Sequence, residues 1–141
     1  MRRAGRLGDG YISHMCSLER YQQNVETIAR YAREVGRAEA SFETCCFIFT
    51  LVDRDFDSAH ARAAARLARI YRTEFGEAAR RYCLLGRAED CLERMQHFVT
   101  AGVRRFILAP LGDPTELLEI AERAILPALP GLAPRDGFGT R

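Results

Sequence analysis

The stretch RRAGRLGDGYI, residues 2–12, joins the end of a helix to the start of a strand. Residues 2–7 favour a helix, the Gly-Asp-Gly of residues 8–10 ends it, and residues 11–13 predict a short strand. A helix end without a helix start signal is an unusual opening for a domain. We therefore expect the chain to begin inside an alternating helix–strand architecture whose front is missing.

The segments that follow continue this alternation. Ser17 is a good N-cap for a helix that ends at Gly36. Residues 44–52, TCCFIFTLV, form a near-continuous apolar run, which is typical of a strand covered on both faces in a parallel sheet. An alanine-rich helix follows the acidic residues 53–57, whose carboxylates suit a helix N-terminus. A short helix is possible over residues 77–82.

The second half of the chain adds two helices and a strand. Periodic apolar residues predict a helix over residues 88–101 that ends at Gly102, and residues 103–109 predict a strand. Asp113 and Pro114 give the clearest helix start in the sequence, a capping carboxylate followed by proline at the first helical position. Four apolar side chains of this last helix are predicted to face inward: Leu117, Leu118, Ala121 and Ile125.

The order of these elements predicts an α/β fold with parallel strands and right-handed crossovers. The three predicted strands make a small sheet, so its two outer edges would present unpaired backbone groups, which are the usual templates for association. Residues 1–129 are predicted to form the domain. Residues 130–141 are predicted to be a disordered tail because they are rich in Pro and Gly and lack periodicity.

Composition excludes several classes of function. All 21 basic residues are arginine, which excludes Schiff-base chemistry and a P-loop lysine. A net charge of +2 without an aromatic platform argues against nucleic-acid binding. Five cysteines, an odd number without a C-x-x-C pair or a signal peptide, predict free thiols in a reducing cytoplasm. No apolar run approaches the about 20 residues that span a bilayer, so no membrane partner is expected.

Three blocks of the sequence carry a resemblance to a known family. They are RAGRLGDGY at residues 3–11, LGRAEDCLER at residues 85–94 and FVTAGVRRFIL at residues 98–108. In this order and spacing they resemble the second half of the luciferase-like flavin-dependent monooxygenases. The chain departs from the pattern where Arg87 and Ala88 replace a capping Ser or Thr and a Pro, and where Arg104 replaces an acidic residue.

The resemblance implies a partial (β/α)₈ TIM barrel, made of roughly its last three βα units. It also implies an oxidoreductase that acts on a small organic substrate, either with reduced FMN and oxygen or by hydride transfer with F420. In the family, the early strands and a Gly-Gly phosphate loop would precede Met1, so the isolated chain is expected to be incomplete. Its partner would be the missing N-terminal half or a second copy. The alternative is a non-catalytic half-barrel interaction module that oligomerises through its strand edges.

Candidate site residues lie where the predicted strands end, because barrels of this type bind ligands there. Carboxylates follow the second and third strands and would repel a phosphate, whereas residues 13–17 contain no acid. Ser13 and His14 are therefore the predicted cofactor-binding residues, although a histidine that lines the loop without a role remains the alternative. His14 and Cys16 lack a third ligand, so no metal site is predicted, and no catalytic residue is identified. The predicted substrate pocket comprises Met15, Thr50 and Gly112.

Overall fold

The computed structural model describes residues 1–37 and 42–132, in which helices and parallel strands alternate. The strands are β1 Gly10–His14, β2 Glu43–Val52, β3 Leu84–Gly86 and β4 Arg105–Pro110. The helices are α1 Arg2–Leu7, α2 Leu18–Arg33, α3 Phe56–Tyr71, α4 Gly76–Tyr82, α5 Ala88–Thr100 and α6 Pro114–Ile120. A π-helical turn, Ala121–Ile125, and a 3₁₀ turn, Leu126–Gly131, continue α6.

Strand β2 is the centre of the sheet, and every pairing with it is parallel. Residues 43–47 of β2 pair with β1 and residues 45–50 pair with β4, so these two strands occupy opposite edges of β2. Thr50 pairs with β3 on one edge of β2 and with β4 on the other. Because β1 also lies opposite β4, the short β3 follows β1 along the same edge of β2. Within the described residues, the outer edges of β1 and β4 have no partner strand.

The predicted α/β fold with parallel strands is confirmed, but the predicted number of strands was one too low. The missing strand is β3, whose three residues are all buried. Three residues are too few to show an alternating pattern, and the sequence therefore gave no strand signal there. The domain bounds, residues 1–129, and the disordered tail stay predictions; the last 3₁₀ turn extends to Gly131. Residues 133–141 of the predicted tail lie outside the described residues.

Helices α2 and α5 cover one face of the sheet along its length. Cys46 and Ile48 of β2 point to this face and pack against Tyr21 of α2 and Met95 and Phe98 of α5, all at most 3% exposed. The rings of Tyr21 and Phe98 meet edge to face, with centroids 6.1 Å apart. This helix layer, together with the smaller cluster that α3 and α4 form with the ends of β2 and β3, is the hydrophobic core of the structure.

The other face is covered by α3 and α4 only at the carboxyl end of β2, where Phe49 and Leu51 pack against them. The rest of this face is uncovered by the described residues, and we call it the open face. Because side chains alternate along a strand, the register aligns three rows across it. Ile12, Cys45 and Arg105 form the first row, His14, Phe47 and Ile107 the second, and Phe49 and Ala109 the third. Ile12 is 61% exposed and Ile107 is 44% exposed. A sheet with one buried and one exposed apolar face is unusual for parallel strands, which are normally covered on both sides.

The helix starts follow the local sequence signals. The Ser17 hydroxyl accepts a hydrogen bond from the Arg20 backbone N–H at 3.3 Å. The Asp113 carboxylate accepts hydrogen bonds from the N–H groups of Thr115 and Glu116, at 2.7 and 3.3 Å. The predicted end of α5 is also confirmed, because Gly102 has a φ of 97°. Leu118 was wrongly predicted to face inward and is 59% exposed, because α6 turns Leu117 and Ile120 toward the end of β2 and leaves Leu118 on its outer side.

The resemblance led us to expect a weak start for α5, and the structure shows how the chain replaces the missing cap. The Asp90 carboxylate accepts the backbone N–H of Arg87 at 2.8 Å and the Arg87 guanidinium at 3.2 Å. Gly86, just before this turn, has a φ of 110°, and a β-carbon there would lie 2.8 Å from Asp90 Oδ2. Glycine is therefore required at this position by both the backbone conformation and the space.

Helix α1 approaches α2 closely at Gly5. A β-carbon at Gly5 would lie 2.4 Å from the carbonyl oxygen of Ile28 and 2.7 Å from the Cβ of Tyr31. We expect Gly5→Ala to lower the free energy of unfolding by about 1–3 kcal/mol, because the two helices must move apart. Urea unfolding measures the loss. Gly76→Ala is the control, since no atom lies within 4 Å of its β-carbon position, and an equal loss in both variants would contradict the close contact.

Candidate functional site

The carboxyl ends of all four strands point in the same direction because the strands are parallel. In open parallel α/β sheets the rim that these ends form is where ligands bind. The rim is stepped: Val52, Gly86 and Pro110 end within two residues of one another in register, whereas His14 at the end of β1 is level with Phe47, five residues before the end of β2. The backbone N–H of Leu111 donates to the Thr50 carbonyl at 3.0 Å, which holds the end of β4 against β2.

His14 lies on the open face against two phenylalanine rings. Its ring centroid is 5.0 Å from that of Phe47 and 5.5 Å from that of Phe49, and both contacts are edge to face. The two phenylalanine rings are themselves 5.8 Å apart. His14 is exposed, so an imidazole stands at an aromatic wall on the uncovered side of the sheet.

Met15 turns the chain from β1 toward α2. Its φ of 47° is in the left-handed region, where a residue with a side chain is strained. Such strain costs about 1–3 kcal/mol and persists only where the surroundings require it. Ser17 follows two residues later as the N-cap of α2. The turn therefore separates His14 on the open face from the buried Ser17.

Two of the predicted site residues lie on the helix-covered side of the sheet. Ser13 and Thr50 are each 1% exposed. The Ser13 hydroxyl donates to the Cys45 carbonyl at 3.4 Å, and the Thr50 hydroxyl donates to the Ile48 carbonyl at 3.2 Å. Both hydroxyl groups therefore bind sheet carbonyls and do not point into the open face. The structure therefore places His14, with Met15 next to it in the chain, on the open side, and Ser13 and Thr50 on the opposite face of the sheet.

The predicted pocket residue Gly112 borders a crevice that is nearly filled. The crevice has a volume of about 10 Å³ and also contacts Thr50, Arg62 and Asp113. This is room for about one water molecule. Arg62 donates to the Asp53 carboxylate at 2.7 Å across the same region. In this structure the ends of β2 and β4 therefore pack together without a cavity of substrate size.

The carboxylates at the strand ends stabilise the local structure. Hydrogen bonding from Arg62 holds the pKa of Asp53 below its usual range. The pKa of Asp55 is also lowered, first by the backbone N–H of Ser58, which donates to its carboxylate at 2.7 Å as α3 begins. Asp113 has the same capping role in α6. These acids already occupy the helix starts, so the loop after β1 remains the acid-free part of the rim.

Phe47 and Phe49 contribute to the open face, but the sequence analysis did not single them out. They were counted within an apolar run that was expected to be buried on both faces. Their spacing of two residues, interrupted by the buried Ile48, was the available signal. Among the described residues, no group of three or more His, Cys, Asp or Glu side chains could hold a metal ion. None of the described helices combines the length and apolar character of a membrane span.

A sequence profile of the family described as luciferase-like monooxygenase matches residues 1–124. No curated protein matches the chain significantly. The match covers all four strands and helices α1 to α6, and thus both the open face and the rim.

Solved structures with the same fold are similar to the chain at low sequence identity. An F420-dependent secondary alcohol dehydrogenase has a TM-score of 0.75 at 18% identity, over 91% of this chain and 45% of the dehydrogenase. The F420-dependent tetrahydromethanopterin reductase of Methanopyrus kandleri gives 0.68 at 15% identity, over 89% of this chain and 47% of the reductase. The long-chain alkane monooxygenase LadA gives 0.67 at 14% identity, over 99% of this chain and 40% of the monooxygenase. The chain therefore spans less than half the length of each of these proteins.

Proposed function

Because the chain belongs to the luciferase-like monooxygenase family, we propose that it is the C-terminal part of a flavin-type oxidoreductase barrel. The observation that carries this proposal is the open face. An apolar side of a parallel sheet, with Ile12 61% exposed, has the character of a barrel interior that lacks its opposite wall. The partial coverage of the similar structures supports the same conclusion, since more than half of each lies outside the match.

The open face fits the ring of a flavin or deazaflavin but offers no place for its phosphate. Phe47, Phe49 and Ile107 provide an apolar surface, and His14 provides a polar group at its edge. The acid-free loop after β1 is the remaining part of the rim that suits an anionic cofactor. When bound, the cofactor would supply the redox step, either oxygenation of an organic substrate with reduced FMN and O₂ or hydride transfer with F420.

The chain's own residues would position and shield the reactants. His14 would form a hydrogen bond with the ring or the substrate, and Phe47 and Phe49 would exclude water from that contact. Met15 and Gly112 would border the substrate at the rim. The buried hydroxyls of Ser13 and Thr50 would act only indirectly, by holding the strand ends in place.

The non-catalytic half-barrel module remains the second candidate. Two observations favour it: Ile12 and Ile107 are exposed on the open face, and the outer edges of β1 and β4 are unpaired within the described residues. Such a module would associate through these surfaces without a cofactor.

Ligand titration separates the two candidates. The isolated chain is titrated with FMN, F420 and riboflavin, which carries the ring without a phosphate, and binding is followed by fluorescence. We expect no micromolar affinity, because the wall opposite the open face is not supplied by the described residues. We expect weak ring contacts, visible by NMR, at His14 and Phe47 with both FMN and riboflavin.

The matched variants are His14→Ala and His97→Ala, which removes an exposed imidazole from the helix layer. His14→Ala should abolish the ring contacts and His97→Ala should leave them unchanged. Micromolar binding by the isolated chain would contradict the proposed incompleteness. Ring contacts that survive His14→Ala, or their complete absence, would favour the non-catalytic module.

A further inference from the structure

A polar cavity lies on the helix side of the sheet, away from the open face. It opens to solvent, is lined by the start of α2, the end of α4 and the middle of α5, and has a volume of about 360 Å³. Its polar walls come from Ser17, Glu19, Arg81, Arg94 and His97. Apart from Ser17, these residues lie outside the rim considered above.

Arg94 is the central group of this cavity. Its Nε is buried and has no hydrogen-bond acceptor among the described residues. One of its terminal nitrogens, Nη2, donates to the Arg81 carbonyl, and within the described part of the chain Arg94 makes no salt bridge. Burial lowers the pKa of Arg94, but a guanidinium remains charged at neutral pH. A buried cationic donor without an acceptor is costly, so an anion at this position would stabilise it.

The charge balance of the cavity also favours an anion. Arg81 and Arg94 contribute two positive charges, and Glu19 contributes one negative charge. The nearby Ser17 hydroxyl and the backbone at the start of α2 lower the pKa of the exposed Glu19 carboxylate. Among the described residues this carboxylate forms no salt bridge with Arg94. The net charge of these three side chains is therefore one positive charge.

We propose that this cavity binds a small oxyanion, of the kind presented by the phosphate group of a phosphorylated small molecule. The Arg94 and Arg81 guanidinium groups would each donate to the ligand, since charge-assisted hydrogen bonds of this kind are strong and directional. The cavity is larger than a phosphate ion, so it also accommodates the organic part of such a molecule. This site does not depend on the proposed function.

Inorganic phosphate tests the proposal on the full chain. Phosphate is titrated at constant ionic strength with sodium chloride as the balancing salt, and the side-chain Nε–H resonances of the arginines are followed by NMR. We expect a saturable shift of the Arg94 resonance and a rise in the melting temperature. An Arg94 resonance that does not respond to phosphate would overturn the proposal without any need for a variant.

Two variants and a control sharpen the result. Arg94→Met keeps the length of the side chain and should abolish the rise in melting temperature, whereas Arg66→Met removes the same charge from the exposed side of α3 and should preserve it. Glu19→Gln should tighten phosphate binding by roughly twofold to fivefold, the range expected for one exposed charge. A phosphate response that persists in Arg94→Met, or one that Glu19→Gln weakens, would contradict the site. Riboflavin lacks a phosphate, so the result of its titration at the open face does not depend on whether phosphate binds in this cavity.

Discussion

Raising the pH from 9 toward 12 is expected to unfold this protein. Burial raises the pKa of Cys83 and of Cys91 from 9.0 to about 12, and both side chains are at most 1% exposed. The unfolded chain therefore loses two protons in this range that the folded chain retains. Each retained proton lowers the free energy of unfolding by about 1.4 kcal/mol per pH unit. The contribution of the two thiols to the free energy of unfolding is fully present below pH 9. Between pH 9 and pH 12 it decreases by about 2.7 kcal/mol per pH unit.

Urea unfolding at a series of pH values measures this slope. Cys91→Ala removes one titrating thiol and should reduce the slope by about half, and Cys45→Ala, whose thiol is only half-buried, should change it less. Above pH 10, Tyr21 acts in the same direction, because burial raises its pKa from 10.0 to about 12. A free energy of unfolding that stays constant from pH 9 to pH 11 would show that these thiols are not buried as described.

The second large effect concerns the open face. The isolated chain is expected to self-associate, because Ile12 and Ile107 are 61% and 44% exposed beside the half-buried Phe47. Replacing both isoleucines by serine should weaken the association by about tenfold or more, since burying one such side chain contributes about 1.5 kcal/mol or more. The fold should remain intact, because both side chains contact solvent in the isolated chain. Sedimentation velocity over a hundredfold range of protein concentration measures the change.

A matched double variant separates this surface from general hydrophobicity. Leu7→Ser with Leu118→Ser removes two side chains that are 79% and 59% exposed, but neither lies on the open face. We expect this control to associate as the unmodified chain does. A monomeric unmodified chain at every concentration would contradict both the expected association and the non-catalytic module.

The parts of the fold that depend on local chemistry could be predicted from the sequence. Ser17 and Asp113 start helices because a side-chain oxygen meets the backbone N–H groups a few residues later, and Gly102 ends one because only glycine adopts its φ readily. These interactions are determined within a few residues. The elements α2, α5 and α6 were predicted correctly for this reason.

The parts that depend on distant neighbours could not be predicted in the same way. The run at residues 44–52 is apolar on both faces, and nothing within it shows that helices cover one face fully and the other only near Leu51. The burial of Ser13 and Thr50 likewise depends on which face of the strand α2 and α5 pack against. Alternation shows that Ser13 and His14 point to opposite sides, but it does not show which side is covered.

The common direction of the four strands restricts how a further strand can be added to this sheet. A two-residue hairpin reverses the chain, so it can add only an antiparallel strand beside β1 or β4. A parallel neighbour needs a crossover of a dozen or more residues to return to the starting end. In protein engineering, a linker that closes the sheet beside β4 must therefore carry a helix or a segment of similar length, and a short loop would invert the added strand.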